Sequence, residues 1–282
     1  MNFHISIRPR PEERLLEGSG DLGNITIIMG RPRSGKSLFL RYLFSLLVRD
    51  RELAEYVSSK ILGPGGYVSL RVGDSALNCS KPEGENGGTA TCTISTVRGE
   101  RAYLFYEGWL FTAKYGRELL RFKRVADAMR ELFERVAETR GRFRYDIRYK
   151  WETMEWVETR DGRELSFDVS SSAVVAVGIL ERALQQDAWL LLDGTLDDLF
   201  PEEVMYLAGV AASGSARVVI ATHSPWVLDA FRCSGIVAEH FRMPVVRKSV
   251  RSYDFSGGAI TPIDLSAKTY GDVFERLYVL CG

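Results

Sequence analysis

The sequence predicts an α/β fold, a sheet with helices on its faces, interrupted by a β-rich and helical insertion. Three observations predict it. A short apolar, β-branched run from Asn24 to Met29 leads through a glycine-bounded loop into an apolar helical run from Leu38 to Val48. Beyond Ser172, helix-like and strand-like stretches alternate, the pattern of a sheet covered by helices. Between Tyr67 and Leu165, short alternating runs are separated by turn residues and read as an antiparallel region. A chain of 282 residues is long enough for a sizeable core, and 45% hydrophobic with 26% charged residues sets it apart from disordered chains. The expected organisation is a single domain over residues 1–282, with 67–165 as an inserted subdomain.

Taken in order, Phe3 to Ile7 alternates and reads as a strand, while Pro9, Pro11 and Gly18-Ser-Gly20 read as punctuation. Asn24 to Met29 is the buried strand. Asp50 to Leu62 reads as a continuation of the helix before it, stopped by Gly63-Pro-Gly-Gly66. Tyr67 to Val72, Ala90 to Val97 and Arg101 to Tyr106 read as strands. Arg117 to Thr139 reads as a long helix. Its Leu119, Phe122, Ala126, Met129, Phe133 and Val136 step by three and four into one seam. Leu120, Val125 and Leu132 widen that seam, which favours core packing over a coiled coil. Phe143 to Lys150 and Met154 to Glu158 read as strands, and Asp161-Gly162 as the turn into Arg163 to Asp168. Then follow a helix at Ser172 to Gln185, a buried strand at Ala188 to Leu192, a helix at Pro201 to Ala212 and a strand at Ala216 to Ala221. A short helix at Pro225 to Phe231, a strand at Gly235 to Glu239 and a terminal helix at Tyr270 to Leu280 complete the reading.

The loop after the first buried strand carries the chemistry. Gly30, Arg31, Pro32, Arg33, Ser34, Gly35, Lys36 and Ser37 fit G-x-x-x-x-G-K-[ST], the Walker A phosphate-binding loop, between the strand and helix that the motif requires. Gly30 and Gly35 let the backbone curl so that amides face phosphate oxygens. The helix beginning near Lys36, with Leu38 in its first turn, presents its positive end to an anion. Lys36 is expected to reach the β- and γ-phosphates, and the Ser37 hydroxyl to ligate Mg²⁺.

Two further strand tips fit this loop. Trp189-Leu-Leu-Leu-Asp193 ends a buried strand in a carboxylate, as a Walker B aspartate does, and Asp193 is the expected second holder of Mg²⁺ and a catalytic residue. Another buried strand runs into Thr222-His223-Ser224-Pro225. His223 at this tip is the second candidate catalytic residue, able to donate a hydrogen bond to a γ-phosphate. The same residues also fit a helix start, with Ser224 as N-cap and Pro225 at the first helical position, and the two readings are compatible.

Composition narrows the partners. A formal net charge of zero leaves no global field toward nucleic acid or an anionic membrane. No run approaches the length of a membrane span and the first residues lack a signal-peptide layout, so a cytoplasmic protein is expected. Cys79, Cys92, Cys233 and Cys281 form no C-x-x-C pair. They read as reduced, half-buried residues, although Cys79 and Cys92 flank a loop and could bridge. Arginines crowd the insertion, among them Arg117, Arg121, Arg124, Arg130, Arg135, Arg140, Arg142, Arg144 and Arg148, with Phe143, Tyr145, Tyr149 and Trp151 interleaved. A nucleic-acid surface has this texture, but Glu131 with Arg135 and Arg130 with Glu134 at i,i+4 suit a solvated helix instead.

Together, the Walker A loop, the aspartate-ended strand and the T-H-S-P strand tip resemble the ABC-type ATPases. Within these, the chain is similar to the stand-alone AAA-domain branch related to the overcoming-lysogenization-defect proteins and to structural-maintenance-of-chromosomes ATPases. That branch continues Walker B as D-E-P-E-x-x-L-H-P; here Asp193 to Pro201 has the same length and final proline. The resemblance implies a P-loop NTPase fold with an ABC-ATPase-like mixed sheet, ATP and Mg²⁺ as cofactors, and an ATP-dependent homodimer. It also implies that Ser170, in the segment Val169-Ser-Ser-Ser-Ala173, contacts nucleotide held by the opposite subunit. Two departures stand out. The family's catalytic Glu after Walker B is Gly194 here, and such water-positioning groups are worth roughly 10²- to 10⁴-fold. Ser172 stands where the signature segment normally has glycine. The resemblance therefore implies a Mg-dependent ATP hydrolase that is slow or partner-assisted, or a non-hydrolysing ATP-sensing subunit of a defence or DNA-repair complex acting with an effector protein.

Overall fold

A computed structural model describes residues 1–83, 88–96, 99–106, 123–152, 155–166, 169–246 and 248–264, with side chains from residue 130 onward in the helix that begins at Lys123. The expected helix at Tyr270 to Leu280, and the Arg117 to Phe122 start of the long helix, lie outside the described residues. So does Cys281.

The centre is a parallel sheet. Strands β13 (Val250–Ser256), β3 (Ile25–Met29), β12 (Arg217–Ala221), β11 (Trp189–Asp193) and β7 (Ala102–Tyr106) pair in that order, each parallel to its neighbour. Except in β13, their apolar runs are nearly continuous because both faces are covered. Along β3, Ile25, Ile27 and Met29 enter one core while Ile28 enters the other; along β12, Val218 and Ile220 oppose Val219 and Ala221. Each large apolar side chain removed from water in this way stabilises the fold by about 1.5–3 kcal/mol.

Beyond β13 the sheet continues through β14 (Ala259–Pro262), β2 (Leu16–Asp21), β1 (Asn2–Arg8), β4 (Tyr67–Val72), β5 (Ser75–Ser80) and β6 (Thr91–Ser95). The strands between Tyr67 and Tyr106 thus belong to the main sheet, β7 at one end and β4 to β6 at the other. A separate antiparallel sheet holds β8 (Ile147–Lys150), β9 (Glu155–Arg160) and β10 (Arg163–Ser166). Asp161 and Gly162, both at positive φ, make the expected hairpin turn between β9 and β10.

Helices α1 (Lys36–Val48) and α2 (Arg51–Ile61) cover the second core. The expected single helix breaks here. Arg49 takes a left-handed conformation at φ 58°, and the Asp50 carboxylate accepts the Leu53 amide to cap α2. On the other face lie α3 (Lys123–Glu138), α4 (Ser172–Ala183), α5 (Pro201–Ser213), α6 (Pro225–Arg232) and α7 (Ser234–His240). In α3, Leu132 and Val136 are fully buried and Phe133 packs against the same core, so this stretch of the seam is core.

Three further expectations need correction. Gly235 to Glu239 is part of helix α7, not a strand; an apolar run of three is too short for periodicity to distinguish the two. Here Ala238 crosses α5 at Gly209, where an added Cβ would stand 3.3 Å from the Ala238 Cα. Gly18 and Gly20 do not punctuate a loop but lie within β2. A Cβ at Gly18 would stand 2.6 Å from Ile260 Cβ, and one at Gly20 2.6 Å from the Tyr253 ring, so these glycines permit close approach inside a sheet. Cys79 and Cys92 are not reduced thiols: they are paired across β5 and β6 and joined in a disulfide, while Cys233 is free.

Opening this bridge releases a constraint across a sequence separation of 13. Chain-entropy reasoning gives a loss of about 3 kcal/mol for Cys79→Ala with Cys92→Ala. Denaturant midpoints of the double variant and the oxidised wild type test this; coincident midpoints would contradict it.

A buried network ties the segment from Arg144 to Ile147 to α4. The Glu181 carboxylate accepts the Arg144 amide at 3.0 Å and the Tyr206 hydroxyl at 2.7 Å, and Arg182 donates to the carbonyls of Tyr145 and Ile147. Burial pushes Glu181 above the usual carboxylate range, and these partners pull it back. Arg144 also pairs with Glu202, and Arg148 and Lys150 with Glu164, so part of the arginine-rich stretch is engaged by acids while Arg140 and Arg142 stay exposed.

Candidate functional site

Parallel strands bring their C-terminal ends to one edge, where open α/β sheets bind ligands. The loop after β3, Asp193 at the end of β11, Thr222 and His223 after β12, and Asp254 on β13 all lie along this edge.

The loop from Gly30 to Gly35 is held open by its glycines. Gly30 has φ 149°, and a Cβ there would stand 2.4 Å from the Phe255 carbonyl oxygen and 2.8 Å from Ser34 Oγ. Gly35, at φ 92°, is the N-cap of α1 and supplies no side-chain cap. The first-turn amides of Lys36, Ser37 and Leu38 therefore have no intrahelical acceptor and point out of the helix end. Arg31, Pro32 and Arg33 form the exposed outer turn, with Arg33 at φ 66°.

Lys36 folds back over this cup. Its Nζ donates to the Gly30 carbonyl at 2.6 Å and the Arg31 carbonyl at 3.0 Å. Burial draws its pKa below the ordinary lysine range, opposed by the fields of Asp193, Asp197 and Asp254. Beside it, Ser37 Oγ donates to Asp193 Oδ1 at 2.9 Å, joining the two residues the sequence assigns to a metal. The pairing spans an intervening strand, because β12 lies between β3 and β11.

After Asp193 the chain turns sharply. Gly194 has φ 65° and donates its amide to the Ala221 carbonyl at 2.9 Å; the Asp197 amide returns to the Gly194 carbonyl at 3.2 Å. This brings Asp197 under the tip of β12. Its carboxylate, 5% exposed, accepts the Thr222 hydroxyl, the His223 amide at 3.3 Å and His223 Nδ1 at 2.8 Å. Burial raises the Asp197 pKa, and the Thr222 hydrogen bond and the His223 charge lower it. The His223 side chain is 69% exposed. Ser224 occupies the N-cap of α6 and Pro225 its first position, as expected, but no side-chain cap bond forms. The Ser224 amide donates to Thr222 Oγ1 instead.

Ser170 stands apart from this cluster, on the segment leading into α4. Its Oγ is buried and has no hydrogen-bond partner among the described residues. Neighbouring Val169 is 72% exposed, and so is Phe200 at 70%, on the turn after Asp197. By its resemblance the sequence places Asp197 in a dimer-facing loop and gives it no catalytic role, and it assigns no role to Asp254. A second carboxylate four residues after Asp193 is a visible signal for the former; for Asp254, which feels the Lys36 charge from β13, no local pattern points to it.

No protein-family model matches the chain, and no curated protein matches it. Solved structures do. The Smc head, solved bound to the C-winged helix domain of ScpA, aligns at a TM-score of 0.54 and 11% identity over 92% of this chain and 96% of that one. This chain has the fold of the Smc head. It is therefore a mixed α/β fold, a large mixed sheet with flanking helices. Less similar are the recombination mediator RecF, at a TM-score of 0.46 and 10% identity over 93% and 97%, and a cobalt transport ATP-binding protein, at 0.41 and 14% over 94% and 81%. Among the described residues, no helix is long and apolar enough to cross a membrane.

Proposed function

We propose that this chain binds Mg-ATP at the β3–α1 loop and acts as a slow ABC-type ATPase whose output is closure of an ATP-sandwiched homodimer. The observation that carries the reading is the Ser37–Asp193 hydrogen bond beside the Lys36 ammonium. A hydroxyl and a carboxylate oxygen are hard donors that suit Mg²⁺, and the loop beside them admits no side chain at Gly30, where a Cβ would meet the Phe255 carbonyl oxygen and Ser34 Oγ. Mg²⁺, when bound, offsets the charge of the terminal phosphates. The residues of the chain do the rest. First-turn amides cradle phosphate oxygens, Lys36 exchanges its loop carbonyls for phosphate, and Asp193 with Ser37 hold the ion. Dimer closure is supported by the exposed Val169 and Phe200 on the two segments that would face a second copy, whereas the Ser170 hydroxyl is buried and would have to be uncovered to reach a nucleotide held there.

The same proposal includes the stand-alone AAA-domain branch, a cytoplasmic location, residues 67–165 as an inserted subdomain that hosts the effector function, an effector protein as partner, and Arg140 and Arg142 as the exposed charges that a nucleic acid would meet. Calorimetric titration with ATP and Mg²⁺ tests the core of it: one site per chain is expected, and no heat of binding would contradict it.

One observation favours the non-hydrolysing alternative. Gly194 replaces the expected Glu in a left-handed conformation, so the backbone itself departs from what a Glu would need. Gly194→Glu is accordingly expected to lose about 1–2 kcal/mol of stability, whatever it does to turnover. Thermal unfolding of the variant checks this, and an unchanged midpoint would show that the turn relaxes freely.

A further inference from the structure

We propose that Asp197 is a positioning residue that fixes the His223 imidazole as the proton acceptor for ATP hydrolysis, in place of the carboxylate missing at position 194. The inference rests on the reading of this edge as an ATP site.

Asp197 is nearly enclosed, and each of its bonds comes from the tip of β12. The Thr222 hydroxyl and the His223 amide lock the carboxylate in place, which leaves Oδ2 aimed at His223 Nδ1 at 2.8 Å. A carboxylate only accepts, so Nδ1 must carry the proton. In the neutral ring the lone pair then sits on Nε2, the form a general base requires. Nε2 has no hydrogen bond among the described residues, the ring is 69% exposed, and β12, which it follows, lies directly beside β3, which leads into the phosphate loop. Gly194 offers no side chain to compete for this position. The other charges facing the pair are Asp198, next in the chain, and Lys36 at the head of α1, with Asp193 and Asp254 around it.

The step balances simply. A water oxygen forms a bond to the terminal phosphorus, and the bond from that phosphorus to its bridging oxygen breaks. The diphosphate leaves with the electron pair. The water proton passes to Nε2 and from there to solvent, which the exposure of the ring permits. Asp197 remains ionised throughout and stabilises the imidazolium, the role a buried carboxylate plays behind a histidine in other hydrolases.

The test has two readouts. In nucleotide-free protein, nitrogen chemical shifts of the ring report the tautomer. His4 and His240 are the only other histidines, so His223→Ala assigns the signal. Wild type is expected to show Nδ1–H, and Asp197→Asn, which can present an amide N–H to Nδ1, to shift the ring toward Nε2–H. With Mg-ATP, Asp197→Asn and His223→Ala should each lower turnover by about 10²-fold while leaving ATP affinity within about twofold. The rise of turnover with pH that reports loss of one proton should disappear in both. Free imidazole should restore turnover to His223→Ala and not to Asp197→Asn. His223→Ala leaves the Thr222 and backbone bonds of Asp197 intact, so it separates chemistry from folding. An Nε2–H tautomer in wild type, or a pH profile that survives both substitutions, would overturn the proposal. Tight ATP binding by wild type with no turnover would also overturn it, while leaving nucleotide binding standing. Absence of ATP binding would remove both.

Discussion

Lys36→Ala is expected to abolish ATP-dependent phosphate release and to weaken ATP binding by at least about 100-fold. The ammonium sits in the cup formed by the Gly30 and Arg31 carbonyls, the space a terminal phosphate would enter. Charge-assisted hydrogen bonds contribute about 1.5–3 kcal/mol each, and each 1.4 kcal/mol is tenfold, so two lost phosphate contacts account for the magnitude. Folding should change little by comparison. The two carbonyls lie in a partly exposed loop and can turn to water, and the desolvation that lowers the lysine pKa is relieved. Calorimetry measures the binding loss, and a variant that binds ATP as wild type does would contradict the assignment of this loop.

Asp193→Asn is expected to have the second-largest effect, a fall in turnover of about 10²- to 10³-fold at saturating ATP, the scale set by removing one preorganised group from a reacting phosphate's surroundings. The amide keeps the shape of the carboxylate and can still accept the Ser37 hydroxyl, so the fold survives. What is lost is the charge proposed to hold Mg²⁺, which also raises the pKa of the half-buried Lys36. The loss should be deepest at low Mg²⁺ and lessen as Mg²⁺ rises. A Mg²⁺ titration of turnover in both proteins tests this; parallel curves would contradict a metal role for Asp193.

The parts of this molecule that are legible in its sequence are those whose chemistry is local. Gly30 and Gly35 are dictated by backbone geometry within a single loop, Lys36 and Ser37 follow from it, and Asp193 closes a run of four apolar residues. What escapes the sequence depends on residues far apart in the chain. Asp197 acquires its meaning only because β12 lies beside β11, so that Thr222 and His223 arrive above it. β13 is obscured because Arg251 and Asp254 interrupt its apolar residues and Ser252 occupies a buried position. The glycines of β2 imitate a turn because the side chains that exclude a Cβ there, Ile260 and Tyr253, lie more than 200 residues away. The break between α1 and α2 needs a left-handed Arg49, a conformation that no residue type there announces.

The measurement that tests the central claim most directly is steady-state phosphate release with Mg-ATP, run beside size-exclusion light scattering on the same samples, with Lys36→Ala as the control. Turnover together with an ATP-dependent shift from monomer to dimer, both lost in Lys36→Ala, is the predicted result. Wild type and Lys36→Ala behaving identically, with neither turnover nor a shift in mass, would contradict it.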